Sequence, residues 1–350
     1  MEFSSIALRK KDNLAIKEDI LPKDSLRPEN ILKQDLSIVE NYKQSTGDKV
    51  VVNGFIYVNI LFSVYSGEDD DVPACNLHQL QERIEFTQFI PVRQEGQASG
   101  CNVFFNDHDL RVKLTQDEEG RDVFRLEGDL LTYVELYKNT EKEIIVDGYH
   151  KQKDFVCDFV EENCKTLIGT IASEASVREI LSLEGLGHEI EKILYQSADV
   201  ISAESKAEQG KIITEGTLLA EIVCLSADED KAIFTVKEEL PFRVVTAMPH
   251  VSGDEIICHK IYIKDLWAEK INNKQLEFNA AVLVCGEVMR PTSFRILSNP
   301  AFEESSSHKE PLTMVIYVCK ENDTLWHIAK KFKTSMDSIK QTNGIEEDVL

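Results

Sequence analysis

KVVVNGFIYVNILFSV, residues Lys49–Val64, decides how this chain is read. β-Branched and aromatic residues crowd it, no Pro interrupts it, and one Gly stands near its start. That composition predicts a long, well-buried strand. KIITEGTLLAEIVCL, residues Lys211–Leu225, repeats the pattern. Lys49 and Lys211 stand 162 positions apart, as do Gly54 and Gly216, and the same offset places Ile31-Leu32 on Ile193-Leu194. A constant offset held over this span points to duplication rather than chance apolar similarity.

The match continues with small shifts. Ile84-Glu85-Phe86 falls on Leu240-Pro241-Phe242, and Asp109-Leu110 on Asp265-Leu266, both at an offset of 156. FRLEGDLLTYVELY (Phe124–Tyr137) falls on LEFNAAVLVCGEVM (Leu276–Met289) at 152. The offset drops where the first copy carries extra polar residues, GEDDDVPACNLHQ (Gly67–Gln79) and QDEEGRD (Gln116–Asp122). Both read as surface hairpin loops, which tolerate insertion. Phe124, Leu126, Gly128, Leu130, Thr132, Val134 and Leu136 alternate with more polar neighbours, as do Leu276, Phe278, Ala280, Val282 and Val284. Period two with one apolar face predicts half-buried antiparallel strands, and short polar turns between them predict sandwich-like packing.

A different period governs VIYVCKENDTLWHIAKKFKTSMDSIKQTNGIEEDVL, from Val315 to Leu350. Val315–Lys320 reads as a short strand. Asp323 and Thr324 offer side-chain oxygens to start a helix. Leu325, Ile328, Ala329 and Phe332 then recur on one helical face, predicting a small core. Thr334 or Ser335 can cap a second helix carrying Met336 and Ile339, and Asn343-Gly344 is a stop signal. Trp326 lies between core positions, so it is read either as a packed flank residue or as an exposed contact anchor. Lys320, Lys330, Lys331, Lys333 and Lys340 make the segment basic, either a solvated face or a patch for an acidic partner.

The chain as a whole is acidic. Among its 350 residues, 62 acids oppose 39 bases for a net charge of −23. Phosphate backbones and anionic membranes would be repelled, so nucleic acid is not an expected partner. No apolar run reaches membrane-spanning length, so no transmembrane segment is expected. The opening residues, MEFSSIALRKKDNLAIKEDILP, lack an apolar run after a basic stretch, and retention in the compartment of synthesis is expected. The eight cysteines form no C-x-x-C pair, so reduced thiols are expected, with Cys224, Cys285 and Cys319 as small core residues. No metal spacing occurs among the histidines. No G-x-x-x-x-G-K-[ST] or G-x-S-x-G run is present. The expectation is a non-enzyme with no catalytic residue, no metal and no cofactor.

YVCKENDTLWHIAKKF, with its strand–helix–helix plan, resembles a LysM module. Asn322 stands where that family usually has Gly, and Asn tolerates positive φ better than most residues. The family's closing P-G-x-x-L-x-I strand is missing before Leu350, so the natural protein is expected to continue. NGFIYVNILF and EGTLLAEIVCL resemble the G-x-L-x-V-x-I-L-Y strand of the SPOCS domain. ENILKQDLSI and EKILYQSADV resemble its K-I-L-x-x-x-A-x-V segment, and IIVDGYHKQKDF (Ile144–Phe155) its hinge between copies. The order of the copies and the module resembles that of a SipL-type spore coat morphogenetic protein. The implied fold is mainly β, with a SPOCS-like β domain at 1–150, a second at 151–297, a flexible linker at 298–313 and an α+β LysM module at 314–350.

That resemblance implies a spore-envelope assembly factor in the mother-cell cytoplasm at the forespore surface. Its LysM module would engage the coat-morphogenetic ATPase, stage IV sporulation protein A. The alternative is binding of peptidoglycan, an N-acetylglucosamine polymer, in cortex or wall. The implied binding surface is Asn322, Asp323, Thr324, Leu325 and Trp326 in one loop, with Thr342, Asn343, Gly344 and Ile345 in the other.

Overall fold

The computed structural model describes residues 2–23, 26–64, 76–93, 98–106, 109–185, 187–228, 232–304 and 314–346. Two units divide the chain. The larger holds Glu2–Thr140 and Lys165–Pro291; the smaller holds Glu141–Cys164 and the chain from Thr292 onward. The sheets of both repeats lie mostly within the larger unit.

In the first repeat, β1 (Glu2–Ile20), β5 (Gly100–Asn106) and β6 (Arg111–Gln116) all pair with β7 (Asp122–Glu141). A second sheet runs β2 (Pro28–Ser45), β3 (Lys49–Val64), β4 (Leu77–Pro91). The second repeat has the same two sheets. One orders β12 (Ile256–Asn272), β13 (Gln275–Glu304), β8 (Lys153–Ser182); the other orders β11 (Ile233–Ala247), β10 (Lys211–Ser226), β9 (Ile190–Glu208). β8 and β13 extend into both units. The single strand β12 does the work of β5 and β6. Its register shifts between Ile263 and Leu266, the position corresponding to the break between those two strands.

The period-two reading of β7 and β13 holds. Phe124, Leu126, Leu130, Thr132, Val134 and Leu136 are buried, as are Leu276, Phe278, Ala280, Val282 and Val284. They meet the inward face of the other sheet, Ile56, Val58 and Ile60 in the first repeat and Leu218, Ala220 and Ile222 in the second. This is the expected mainly antiparallel, two-sheet architecture. The strands β1 and β8 escaped the sequence reading, because their apolar residues are sparse and largely half-exposed.

The central strands β3 and β10 carry matching close contacts. A Cβ on Gly54 would lie 2.7 Å from Phe86 Cζ and 2.7 Å from the Val39 carbonyl oxygen. On Gly216 it would lie 2.5 Å from Phe242 Cζ and 2.4 Å from the Ser202 carbonyl oxygen. Each Phe is the register partner of its Gly. Beside each Gly the neighbouring strand shifts register, between Glu40 and Tyr42 on β2 and opposite Thr217/Leu218 on β9. A ring therefore covers the bare glycine from one side while a carbonyl near the bulge of the neighbouring strand presses from the other.

One buried polar link distinguishes the first repeat. Thr132, fully buried in β7, donates its hydroxyl to Gln88 Oε1 at 2.6 Å, and Gln88 Nε2 donates to Asp12 Oδ2 at 2.8 Å. The corresponding positions of the second repeat are Val244 and Val284, both buried.

The repeats meet along a polar seam. Lys33 Nζ donates to Ser197 Oγ at 3.4 Å, and the Tyr195 hydroxyl donates to Asp35. Lys33 and Tyr195 correspond at the 162-residue offset, and so do Asp35 and Ser197. Asn59 and Gln79 side-chain amides both donate to the Gln196 carbonyl. Farther along, Tyr137 donates to Glu287 at 3.3 Å, and Lys260 reaches the Val103 carbonyl. A cavity of about 840 Å³ opens in this seam, between Asp35 and Ser37 of β2 and Ser197 and Asp199 of β9.

Several expectations need correction. Val315–Lys320 is not a strand. It runs as irregular chain without a ladder partner among the described residues, and Ile316 and Val318 are more than 80% exposed. Strand identity requires a neighbour to bond to, and apolar alternation alone does not supply one. Ser298–Glu304, read as linker, continue β13; residues 305–313 lie outside those described. Gly67–Cys75 of the first hairpin loop also lie outside, while Leu77–Gln79 belong to β4. The second loop is a turn at Asp117–Gly120, with Asp117 Oδ1 accepting from the Glu119 and Arg121 backbone N–H groups. The described cysteines are free thiols. Burial pushes the Cys224 thiol up to about 12, but Cys319 is exposed rather than a core residue.

Gly54→Ala is expected to destabilise the chain by about 1–3 kcal/mol and Gly216→Ala by at least as much. Gly47→Ala, where the added methyl meets nothing within 4 Å, should be near neutral. Denaturant unfolding of the three variants checks the ranking. Gln88→Val strands the Thr132 hydroxyl and should cost about 1–3 kcal/mol, whereas adding Thr132→Val should recover much of it. A double-mutant cycle reads that coupling directly.

Candidate functional site

The segment from Tyr317 to Ile345 is built around two short helices, α1 (Leu325–Lys331) and α2 (Met336–Asn343). Asn322 takes φ 71°, the left-handed turn in which Gly would have been the default residue. Asp323 follows. Its Oδ2 accepts from the Lys320 backbone N–H at 2.8 Å and from the Tyr317 hydroxyl at 2.8 Å. The Lys320 amide, with the Tyr317 hydroxyl, holds the Asp323 carboxyl below its ordinary range. Thr324 is the N-cap of α1, its Oγ1 accepting from the His327 backbone N–H at 3.2 Å. Leu325, Ile328 and Ala329 are buried as the helical spacing predicts. Phe332 is not. It ends the helix 37% exposed, packed edge-on against Tyr317 at 5.5 Å, because the chain turns away at its C-cap.

Ser335 caps α2 by accepting from the Ser338 backbone N–H at 3.2 Å. Met336 and Ile339 are half-buried. At the far end Thr342 donates to the Ser338 carbonyl at 2.7 Å, and Asn343 Nδ2 donates to the Ile339 carbonyl at 2.9 Å. Gly344 closes the helix with φ 66°, and the Ile345 N–H returns to the Lys340 carbonyl at 3.1 Å. Among the described residues, no hydrogen bond joins the Asn322–Trp326 loop to Thr342–Ile345.

Trp326 is both packed and partly open, with 37% of its surface exposed. Its Nε1–H donates to Asp147 Oδ2 at 3.0 Å, and its ring meets Tyr149 edge-on at 5.0 Å and 75°. Lys330 Nζ pairs with Asp147 Oδ1 at 2.5 Å, and Lys333 with Asp154 at 2.5 Å. The Tyr149 hydroxyl donates to the Thr334 carbonyl at 2.7 Å. Burial pushes the Asp147 carboxyl up, but the Lys330, Trp326 and Gly148 donors outweigh it and hold the group below its ordinary range. Lys331 instead lies over the Tyr317 ring at 4.4 Å. Asp147, Tyr149 and Asp154 were not anticipated as partners. They belong to the segment read as a hinge, and only the opposite charge of the lysines hinted at the meeting.

Nothing in this arrangement sets a nucleophile beside a base. Among the described residues no group of three or more His, Cys, Asp or Glu side chains could hold a metal ion, and no helix is long and apolar enough to cross a membrane.

Comparisons with known proteins agree with the geometry. The SipL SPOCS-domain model matches residues 28–115 and 189–271, one segment in each repeat. The LysM-domain model matches 317–350. No curated protein matches the chain. A solved structure titled "Crystal structure of lipopolysaccharide binding protein" aligns at 9% identity over 77% of this chain and 91% of its own. Its TM-score of 0.10 is too low to carry any structural argument. SPOCS and LysM are both non-catalytic domain families. With two SPOCS segments followed by a LysM domain, the chain has the SipL-type architecture of a sporulation-associated protein.

Proposed function

We propose that this protein is a non-enzymatic spore-envelope assembly factor. The paired SPOCS repeats anchor it at the forespore surface on the mother-cell side, and the LysM domain recruits the coat-morphogenetic ATPase, stage IV sporulation protein A. The proposed contact surface is formed by Asn322, Asp323, Thr324 and Trp326 together with Thr342, Asn343, Gly344 and Ile345; Leu325, read with them in the sequence, is 1% exposed and supports the loop from the core.

One observation favours a protein over a glycan as the ligand. Asn322 apart, Asp323, Thr324, Thr342 and Asn343 of the two loops each use part of their hydrogen-bonding capacity inside the module. Asp323 and Thr324 accept backbone N–H groups, and Thr342 and Asn343 donate to backbone carbonyls. A sugar polymer is held by side-chain donors and acceptors that exchange with its hydroxyl and acetamido groups. Each bond made inside the module removes one donor or acceptor from what a sugar could use. Trp326, Lys330 and Lys333 instead meet a protein segment of this chain, at Asp147 and Asp154, and Trp is among the residues enriched at interface hot spots. The LysM match itself keeps glycan binding as the rival reading.

The deciding experiment presents the full chain, and a chain ending at Glu304, to the immobilised ATPase and to insoluble peptidoglycan. The full chain should be retained by the ATPase, with at least about a tenfold loss on truncation, a difference of about 1.4 kcal/mol. Retention by peptidoglycan alone, or equal ATPase binding by both chains, would overturn the proposal.

A further inference from the structure

The outward face of α1 is not empty, and what fills it is informative. Trp326, Lys330 and Lys333 project from one side of the helix and the turn after it. Asp147, Tyr149 and Asp154 occupy them. Asp147 is shared, taking the indole N–H on one oxygen and the Lys330 ammonium on the other. Tyr149 adds both a ring contact and a hydrogen bond to the Thr334 carbonyl. Asp154 finishes the contact at Lys333. Each element reads a different property of the segment: an acid, an aromatic two residues on, and a second acid five residues further.

We infer that this face is a receptor for an acidic–aromatic protein segment, and that residues 147–154 are its resident occupant in cis. The occupant is held by contacts suited to exchange. The side chains of Lys330 and Asp147 remain 44% and 28% exposed, and those of Lys333 and Asp154 remain 40% and 43% exposed. Ion pairs as open as these contribute about 0–1 kcal/mol each. The Trp326–Tyr149 packing adds about 0.5–1.5 kcal/mol beyond burial. Such a contact persists because it is intramolecular, at an effective concentration on the order of millimolar. An external segment of the same chemistry must therefore outcompete a tethered one.

The inference rests on the reading of the LysM domain as a protein-recruiting element and names the chemistry it recognises. Its test uses the chain's own peptide, so it can fail while ATPase binding stands, and the reverse.

A fluorescent peptide of residues 144–155 is titrated against three full chains: unaltered, Asp147→Asn/Tyr149→Ala/Asp154→Asn, and that triple variant with Trp326→Ala. The triple variant should bind about tenfold more tightly than the unaltered chain, because the tethered competitor is gone. Adding Trp326→Ala should abolish the gain. Equal binding by the first two chains, or binding that survives Trp326→Ala, overturns the inference. Should the triple variant fail to fold, Lys330→Asp in the otherwise unaltered chain serves instead. It should prefer a peptide carrying Asp147→Lys over the natural one, and indifference to that charge exchange is equally fatal.

Discussion

The bare backbone at Gly54 and Gly216 is the constraint on which both sandwiches depend. A side chain there would collide with a Phe ring across one strand pair and a carbonyl across the other. The glycine thus pins three strands at one level: β2, β3 and β4 in the first repeat, β9, β10 and β11 in the second. Because side chains alternate with period two, a slip of one residue would send every inward residue of β3 to solvent. The same pin fixes which residues of β2 and β9 face the seam. Lys33, Asp35, Tyr195 and Ser197 meet there only because their strands cannot slide. The seam and its cavity are downstream of a missing methyl group.

The seam has the logic of a two-fold interface. Lys33 reaches Ser197, and its counterpart Tyr195 reaches Asp35, the counterpart of Ser197. Reciprocal contacts between equivalent positions characterise isologous dimers, here made within one chain. The equivalence of position survives while the chemistry has diverged, a lysine facing a serine on one side and a tyrosine facing an aspartate on the other. The interiors have diverged too. Gln88 and Thr132 in the first repeat became, or came from, the valine pair Val244 and Val284. Either solution works because both partners change together; a half-converted pair would leave a buried hydroxyl without a partner.

Much of this was legible in the sequence. The period-two runs Phe124–Leu136 and Leu276–Val284 gave the inward faces, and the 162-, 156- and 152-residue offsets gave the duplication. Local side-chain chemistry gave the cap at Thr324, the left-handed Asn322 and the stop at Gly344. These succeed because each is decided within a few residues of chain. The failures share the opposite property. Val315–Lys320 looks like a strand but has no ladder, and Ser298–Glu304 looks like linker but continues β13, since strand identity depends on a distant neighbour. β1 and β8 were missed because their inward residues are too few to set a period. Phe332 fits the helical spacing yet sits past the last turn. The Asp147–Asp154 contact with α1 joins residues nearly two hundred positions apart, and composition offered only charge complementarity.

Charge complementarity is a weak guide in this chain. With a net charge of −23, almost any acidic surface would attract the lysines of α1, and electrostatics alone would leave them indifferent to which. Selection needs a directional contact. Asp147 supplies one by bridging an ammonium and an indole N–H, a geometry that Glu at the same position would shift outward by a methylene. Tyr149 supplies a second, its ring on Trp326 and its hydroxyl on the Thr334 carbonyl, so that Phe would keep the packing and lose the hydrogen bond. The lysines speed encounter and hold the segment loosely; Trp326 and the Thr334 carbonyl decide which segment stays.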